Sequence, residues 1–263
     1  VYGADSLSVA RSGARWLTLL SMGWALARWR RVHPRSLLDN TPLAHLLQRM
    51  VPLARVPELI RAGHLRALAV TASSYSSGEH VTFFEAGDAA EPWVRSQRRA
   101  ERERITHAHL LASSAIPFVF PAAALPISGH LEYFGDGSMR QTAPIAPAIH
   151  LGAERILVVG AGRMYEPPRP RPAGHRPAYP AIAQIAGHAL STIFLDALSV
   201  DIERALRINQ TLSLIPPEAR GKSPLRPLEL LVIAPSQGLD EVAARHVGDL
   251  PAPVRTMLGA LGV

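Results

Sequence analysis

A short, unbroken run of apolar residues near the middle of the chain limits the available folds more than any other feature. Residues 156–159 read Ile-Leu-Val-Val and follow an apolar helical segment at 144–151. A run without polar alternation is typical of a strand that is covered on both faces, as in parallel sheets flanked by helices. A similar run at 228–235 supplies a last strand. Strands that alternate with helices predict an α/β fold, a layered α/β/α domain with a mainly parallel central sheet.

Two further strands are predicted closer to the N-terminus. Residues 65–72 and 80–84 are rich in apolar and β-branched types, and they are separated by Ser76-Ser77-Gly78-Glu79. Serine and glycine in a short connection favour a turn, because glycine adopts backbone angles that other residues avoid. The segment therefore predicts a β-hairpin.

Several helices are also predicted. Residues 39–41 are helix-capping types and Pro42 fits a first turn, so a short helix to Met50 should follow. Apolar residues recur at helical spacing over 12–31 and over 181–209. Arginines and glutamates interleave over 95–104, which indicates a solvated helix face with charge pairs, and the acidic and basic residues at 196–207 predict a solvated helix edge.

Composition places the chain among ordinary globular proteins. It has 263 residues, of which 48% are hydrophobic and 19% charged, so one domain over residues 1–263 is expected. Six prolines over 166–180 predict an extended surface connection within that domain. The absence of cysteine excludes a disulfide scaffold, a thiol nucleophile and thiolate metal sites. No apolar run reaches the roughly 20 residues of a membrane-spanning helix.

The net charge of +7 favours anionic partners such as phospholipid headgroups or nucleic acid. Basic runs without interleaved aromatic residues argue against nucleic acid. The segment at 12–31 carries Trp16 and Trp24 between terminal arginines, a pattern found both in core helices and in helices that lie on anionic lipid. Both interpretations of this segment stay open.

An aspartate between two glycines is the most informative polar feature. Gly135-Asp136-Gly137-Ser138 follows the strand-like Tyr133-Phe134. Such a sequence forms a turn readily, because glycine and aspartate accept unusual backbone angles. It also lets a hydroxyl group approach the carboxylate closely, so that Asp136 can act as a general base. The residues alone leave both interpretations open.

Two motifs together resemble those of the patatin-like phospholipase family. Ser114-Ala115-Ile116-Pro117, with Phe120-Pro121, matches a Ser-Ala-x-Pro-x-x-Phe-x-Pro segment, and Asp136-Gly137-Ser138 follows 22 residues after Ser114. The resemblance extends over most of the chain and implies the layered fold of that family. One departure is Thr142, where many members carry asparagine.

The resemblance implies a Ser-Asp dyad in which Asp136 activates a serine of a Gly-x-Ser-x-Gly elbow. No serine of this chain has glycine at both positions two residues away, and no glycine-rich oxyanion loop is present. We therefore expect the nucleophile and the oxyanion loop to lie outside this chain, in a segment before Val1. The domain would then be incomplete at its N-terminus, and the chain alone would be inactive.

The implied activity is hydrolysis of phospholipids or other acyl-ester lipids, with no metal and no organic cofactor. The alternative is a catalytically inactive lipid- or protein-binding module of the same fold. We expect a cytoplasmic protein, with peripheral contact to a membrane surface as an open alternative, and no nucleic-acid partner.

Overall fold

The computed structural model describes residues 36, 38–139, 141–160, 197–221, 223–237 and 245–249, together with 185, 188, 242 and 255. The predicted helix at 12–31 and the proline-rich connection at 166–180 lie outside the described residues. Among those that are described, no helix has the length and apolar character needed to cross a membrane.

The described helices and strands alternate along much of the chain. The helices are α1 (Thr41–Met50), α2 (Val56–Arg61), α3 (His107–Ser113), α4 (Ala146–His150), α5 (Ala197–Ser213) and α6 (Pro217–Arg220), with 3₁₀ turns at Leu53–Arg55 and Val247–Asp249. The strands are β1 (Ala67–Ser74), β2 (His80–Ala86), β3 (Val94–Arg95), β4 (Arg98–Arg102), β5 (Ala123–Ile127), β6 (His130–Gly135), β7 (Arg155–Val159) and β8 (Glu229–Ile233). The predicted helix that ends at Met50 is confirmed.

The predicted α/β class is confirmed, and the strands form two sheets. The larger has the order β3-β4-β2-β1-β6-β5, and the smaller is the pair β7-β8. Parallel pairing, which the sequence predicts to dominate, occurs between β2 and β4 and between β7 and β8. The other pairings are antiparallel, so the larger sheet is mixed. Short connections explain the antiparallel pairs β1-β2, β3-β4 and β5-β6, because a short connection can join only antiparallel neighbours.

The hairpin predicted from residues 65–84 is confirmed. β1 and β2 pair antiparallel, from Ala67 opposite Ala86 to Ser73 opposite His80. A second hairpin joins β5 to β6 through Ser128 and Gly129, whose φ angles are 48° and 84°. Positive φ at both turn residues matches the twist of the strands that they connect.

The predicted helix over residues 95–104 is wrong, since this segment forms β3 and β4. β4 lies beside β2, with Arg98 opposite His80 and Arg102 opposite Phe84. The edge of β2 supplies backbone hydrogen-bonding partners, and this long-range pairing outweighs the local charge pattern. Ala100 of β4 is buried, which a fully solvated helix face would not show.

The main core lies between the larger sheet and α3. Its centre is an edge-to-face pair of Phe83 and Phe134, with ring centroids 5.4 Å apart, and His109 of α3 packs against Phe83 at 4.7 Å. Further members of this buried cluster are Val70, Ala72, Val81, Ile105, Ala112, Leu125 and Ile127. The core therefore fixes β1, β2 and β6 relative to α3.

The smaller sheet is covered on one face by a second apolar cluster. Val158 of β7 packs there with Ile202 and Ala205 of α5. On the opposite face the residues at alternate positions are between 54% and 73% exposed; these are Leu157, Val159, Leu231 and Ile233. The prediction that β7 is covered on both faces is thus not met in the described structure.

Asp201 does not lie on a solvated helix edge, and that prediction is wrong. The residue is only 6% exposed, and its Oδ2 atom accepts a hydrogen bond of 3.1 Å from the backbone N–H of Ile145. Burial raises the pKa of Asp201. The contact ties α5 to the start of α4, because an otherwise unpaired N–H at a helix start needs an acceptor.

Candidate active site

The two motifs singled out in the sequence meet at the end of β6. The backbone N–H of Asp136 donates to the carbonyl oxygen of Ala115 at 2.9 Å, and the N–H of Gly137 donates to that of Ser113 at 3.1 Å. Both acceptors lie at the C-terminal end of α3, whose last carbonyl groups lack partners within the helix. The end of α3 therefore fixes the backbone of the Asp136 turn.

The two oxygens of the Asp136 carboxylate have different surroundings. Oδ1 accepts from the backbone N–H of Ser138 at 2.7 Å and from the Ser138 hydroxyl at 2.5 Å. Within the described part of the chain, Oδ2 accepts no hydrogen bond. The side chain is half-buried. One oxygen thus orients the carboxylate, and the other can accept a proton from an approaching group.

The Gly-Asp-Gly sequence also forms the turn that its residue types favour. The hydrogen bonds from Ser138 to Asp136 Oδ1 close this turn. Both glycines have close contacts, and the one at Gly137 is with backbone, which cannot move aside as a side chain can. A Cβ atom on Gly137 would overlap the backbone carbonyl of Thr71, and one on Gly135 would overlap the phenol of Tyr75. The turn therefore lies directly against β1, and a side chain at position 137 would push Asp136 away from it.

His80 contacts the same turn, and the sequence alone does not point to it. Its Nε2 atom lies 2.6 Å from the carbonyl oxygen of Gly137. Burial, with a further contribution from the charge of Arg98, lowers the pKa of His80. The imidazole is therefore neutral at pH 7, with its proton on Nε2, where it donates to the carbonyl. A histidine at the start of a buried strand is the only sequence signal of this role.

Tyr75 also lies close to the turn, against Gly135. Burial, followed by the charge of Asp136, raises the pKa of its phenol. The hydroxyl lies 3.9 Å from the Sδ atom of Met139, and the side chain is partly exposed. A neutral phenol near the carboxylate is an available hydrogen-bond donor for a group that binds at this turn.

The nearby serines are held by other hydrogen bonds. The Ser114 hydroxyl donates to the carbonyl of Leu110 at 2.9 Å, and the Ser73 hydroxyl donates to that of Met139 at 2.9 Å. Ser138 binds Asp136 only within their shared turn. Among the described residues, none of these hydroxyls donates to Oδ2 of Asp136. A nucleophilic serine would need that contact, together with amide donors that stabilise the oxyanion.

No group of three histidine, aspartate or glutamate side chains within the described ranges is arranged to hold a metal ion. A cavity of about 550 Å³ lies between β1 and α4. Ala67, Ala69 and Thr71 line one side of it, and Pro147, Ala148 and Gly152 line the other. Its Thr71 end adjoins the Asp136 turn, because Gly137 contacts the Thr71 carbonyl.

Comparisons with known proteins identify no relative: no family model matches the chain, and neither a curated protein nor a solved structure does.

Proposed function

We propose that the chain belongs to a lipid acyl hydrolase that resembles the patatin-like phospholipases, with Asp136 as general base and the nucleophilic serine supplied from outside this chain. The single observation that carries the proposal is the Asp136 carboxylate. Its backbone and Oδ1 are fixed, whereas Oδ2 has no partner among the described residues. That is the arrangement a base needs when a hydroxyl group is to approach it.

In the proposed reaction, Oδ2 takes the proton of the serine hydroxyl as the serine oxygen attacks the ester carbonyl. The tetrahedral intermediate collapses, and the proton passes from Asp136 to the leaving alcohol. Water then attacks the acyl-serine and gives up a proton to Asp136, after which the fatty acid is released and the serine recovers its proton. Amide donors outside this chain stabilise the oxyanion. No metal or organic cofactor takes part.

Exposed apolar side chains support a lipid substrate and peripheral contact with a membrane surface. Phe118, in the motif that follows α3, is 76% exposed, and Ile116 beside it is also exposed. Both residues come shortly after Ala115 in the sequence, and the carbonyl oxygen of Ala115 accepts the hydrogen bond from the N–H of Asp136. Apolar side chains near the site, on a chain with a net charge of +7, suit an anionic lipid surface.

The test uses the complete protein, expressed from its whole reading frame, with hydrolysis of a chromogenic acyl ester as the assay. Asp136→Asn keeps the Oδ1 acceptor for Ser138 but cannot take a proton, so the rate should fall roughly 10²- to 10⁴-fold. Asp39→Asn is the matched control. Asp39 makes the same type of contact with a residue two positions later, accepting from the N–H and hydroxyl of Thr41 at 3.0 and 2.7 Å.

Loss of activity in Asp136→Asn, with unchanged thermal stability and an active Asp39→Asn control, supports the proposal. An Asp136→Asn protein that hydrolyses the ester at the wild-type rate rules out the base role. A complete protein without any ester hydrolysis would instead favour a non-catalytic lipid- or protein-binding module of the same fold.

A further inference from the structure

Two arginines lie opposite each other across the β3–β4 hairpin. Arg95 ends β3 and Arg98 begins β4, and only Ser96 and Gln97 separate them. Residues directly opposite in an antiparallel pair place their side chains close together on the same face of the sheet. Like charges in this arrangement destabilise the pairing. The hairpin therefore needs a counter-charge at this position.

No acidic side chain within the described ranges supplies that counter-charge. The guanidinium group of Arg98 makes no hydrogen bond and no ion pair there, although its side chain is half-buried. That of Arg95 donates only to the backbone carbonyl of Val94, at 2.9 Å. The two charges are thus uncompensated by the part of the chain that the structure describes.

Neighbouring carboxylates have other partners. Glu79 and Glu101 pair with Arg99, at 3.0 and 3.5 Å, and Arg99 lies on the opposite face of β4 from Arg98, because successive side chains alternate along a strand. The Asp201 carboxylate is within range of the charge of Arg98, but its hydrogen bonds go to other residues. The space beside the two arginines is therefore left for a ligand.

The two arginines line a narrow pocket between the larger sheet and α4, which we name the Arg95–Arg98 pocket. His80 and Trp93 contribute to it from the sheet side, and Pro147 and His150 contribute from α4. Arg95 and His150 are exposed, so the pocket opens to solvent. Among the described residues that line it, none is acidic. A concave site with this charge attracts an anion.

A stack of rings fixes His150 beside the two arginines. Trp93 stacks on Phe84 with ring centroids 5.5 Å apart, and His150 stacks on Trp93 at 4.6 Å. Burial, followed by the charges of Arg95 and Arg98, lowers the pKa of His150. The imidazole is therefore neutral at pH 7 and carries one N–H donor.

We propose that the Arg95–Arg98 pocket binds a phosphate group, with the two guanidinium groups and the His150 imidazole as hydrogen-bond donors. Binding there requires neither Asp136 nor ester hydrolysis, so it goes beyond the function proposed above. Lipid headgroups and soluble phosphate share this chemistry.

Charge and geometry favour phosphate over a carboxylate. Each guanidinium group carries a planar fork of N–H donors that matches two oxygens of one anion. A phosphate monoester has about two negative charges near pH 7 and three acceptor oxygens, which balance both arginines and also accept from His150. A carboxylate has one charge and two oxygens, so it would leave one arginine without a counter-charge.

Thermal unfolding of the complete protein, with and without inorganic phosphate, tests the site. Because a ligand of the folded state raises the midpoint of unfolding, phosphate should stabilise the wild type and should have little effect on Arg98→Gln. Arg49→Gln is the matched control, since it removes the same charge from an exposed arginine of α1 that has no hydrogen bond or ion pair within the described residues. It should respond to phosphate as the wild type does.

The same measurement without phosphate separates a binding role of Arg98 from a structural role. Arg98→Gln removes one of two opposed like charges, so in phosphate-free buffer it should be at least as stable as the wild type. A structural role predicts a less stable protein. Equal stabilisation of Arg98→Gln and Arg49→Gln by phosphate, or no stabilisation of the wild type, overturns the inference.

Calorimetric titration with inorganic phosphate measures the affinity directly. Arg98→Gln should bind roughly tenfold more weakly or worse, because it loses a charge-assisted contact. Arg98→Lys keeps the charge without the fork and should be intermediate. The affinity of Arg49→Gln should stay within about twofold of the wild type, because a distant exposed charge is screened. An Arg98→Gln protein with wild-type affinity contradicts the site.

Vesicles identify the source of the phosphate. Phosphatidylcholine vesicles containing phosphatidic acid present a phosphate monoester, and vesicles with phosphatidylserine at the same surface charge do not. A preference for phosphatidic acid that Arg98→Gln loses and inorganic phosphate competes away supports the site and assigns it to a lipid headgroup. Arg98-dependent binding of inorganic phosphate without that preference supports it as a site for soluble phosphate. A preference that persists in Arg98→Gln counts against the site.

Discussion

The Nε2 atom of His80 lies 2.6 Å from the carbonyl oxygen of Gly137 and so joins the start of β2 to the turn that holds Asp136. Both residues are buried. Because burial lowers the pKa of His80, the contact is a neutral hydrogen bond in which the imidazole donates. The orientation of the candidate base thus depends on a histidine that lies far from it in the sequence.

Two substitutions of His80 should separate the contribution of its hydrogen bond to stability from the contribution of its side-chain volume. His80→Leu removes the donor and leaves the Gly137 carbonyl unpaired, which should lower the free energy of unfolding by about 1–3 kcal/mol. His80→Gln keeps a donor at a similar distance from the backbone and should retain more of that stability. Urea unfolding measures both, and equal destabilisation by the two variants would contradict a role for the hydrogen bond.

The lowered pKa of His80 predicts a pH dependence with a definite sign. The unfolded chain takes up a proton near its ordinary pKa of about 6.5, whereas the folded protein does so at a lower pH. Between these two values the unfolded state binds more protons, so stability is complete above pH 6.5 and decreases as the pH falls towards the folded pKa. The slope of unfolding free energy against pH should be shallower in His80→Gln, and an unchanged slope would rule out this contribution.

Gly137→Ala should destabilise the fold through a backbone clash. The new Cβ would overlap the Thr71 carbonyl, and overpacking of this kind costs about 1–3 kcal/mol. Gly221→Ala is the matched control, because a Cβ at that position meets nothing within 4 Å and its φ of −63° suits alanine. Thermal unfolding of both variants provides the measurement. A Gly137→Ala protein as stable as the control would show that the turn can move away from β1.

Glu132 should make the protein sensitive to acid. A hydrogen bond of 2.6 Å from the Ser74 hydroxyl, followed by contacts with His130 and Arg99, lowers the pKa of this buried carboxylate. Its stabilising contribution is therefore present above the unfolded pKa near 4.5 and is lost as the pH falls through the folded pKa.

Glu132→Gln tests this, since the amide cannot ionise. Its unfolding free energy should be lower than that of the wild type at pH 7, and the difference should shrink as the solution is acidified below pH 4.5. Denaturant unfolding over a pH series measures this. A difference that stays constant with pH would mean that ionisation of Glu132 does not contribute.

The sequence predicts the features that short-range chemistry determines. The turn residues at 76–79 give the β1–β2 hairpin, and Pro42 with its neighbours gives α1. The sequence associates the segment that begins at Ser114 with the motif that begins at Asp136, but it does not predict the hydrogen bond between Asp136 and Ala115.

The features that sequence reasoning misses depend on distant partners. Residues 98–102 become a strand because β2 offers an edge, and no local pattern reveals that edge. Asp201 is buried where it accepts a hydrogen bond from the N–H of Ile145 on another element. His80 joins the site because the sheet brings β2 against the turn at Gly137. In each case the partner lies on another element, beyond the range of helical or strand periodicity.

The hydrogen bonds that hold the Asp136 turn are accepted by the backbone carbonyl oxygens of Ser113 and Ala115, so they do not involve the side chains of those two residues. Every amino acid presents the same carbonyl group. Substitution of the partly buried Ser113 can therefore change the local surface while leaving the acid in place, whereas the buried Ala115 accepts only a small side chain. Loss of the site by drift would instead begin at Asp136 itself, or at the glycines that let the turn approach β1.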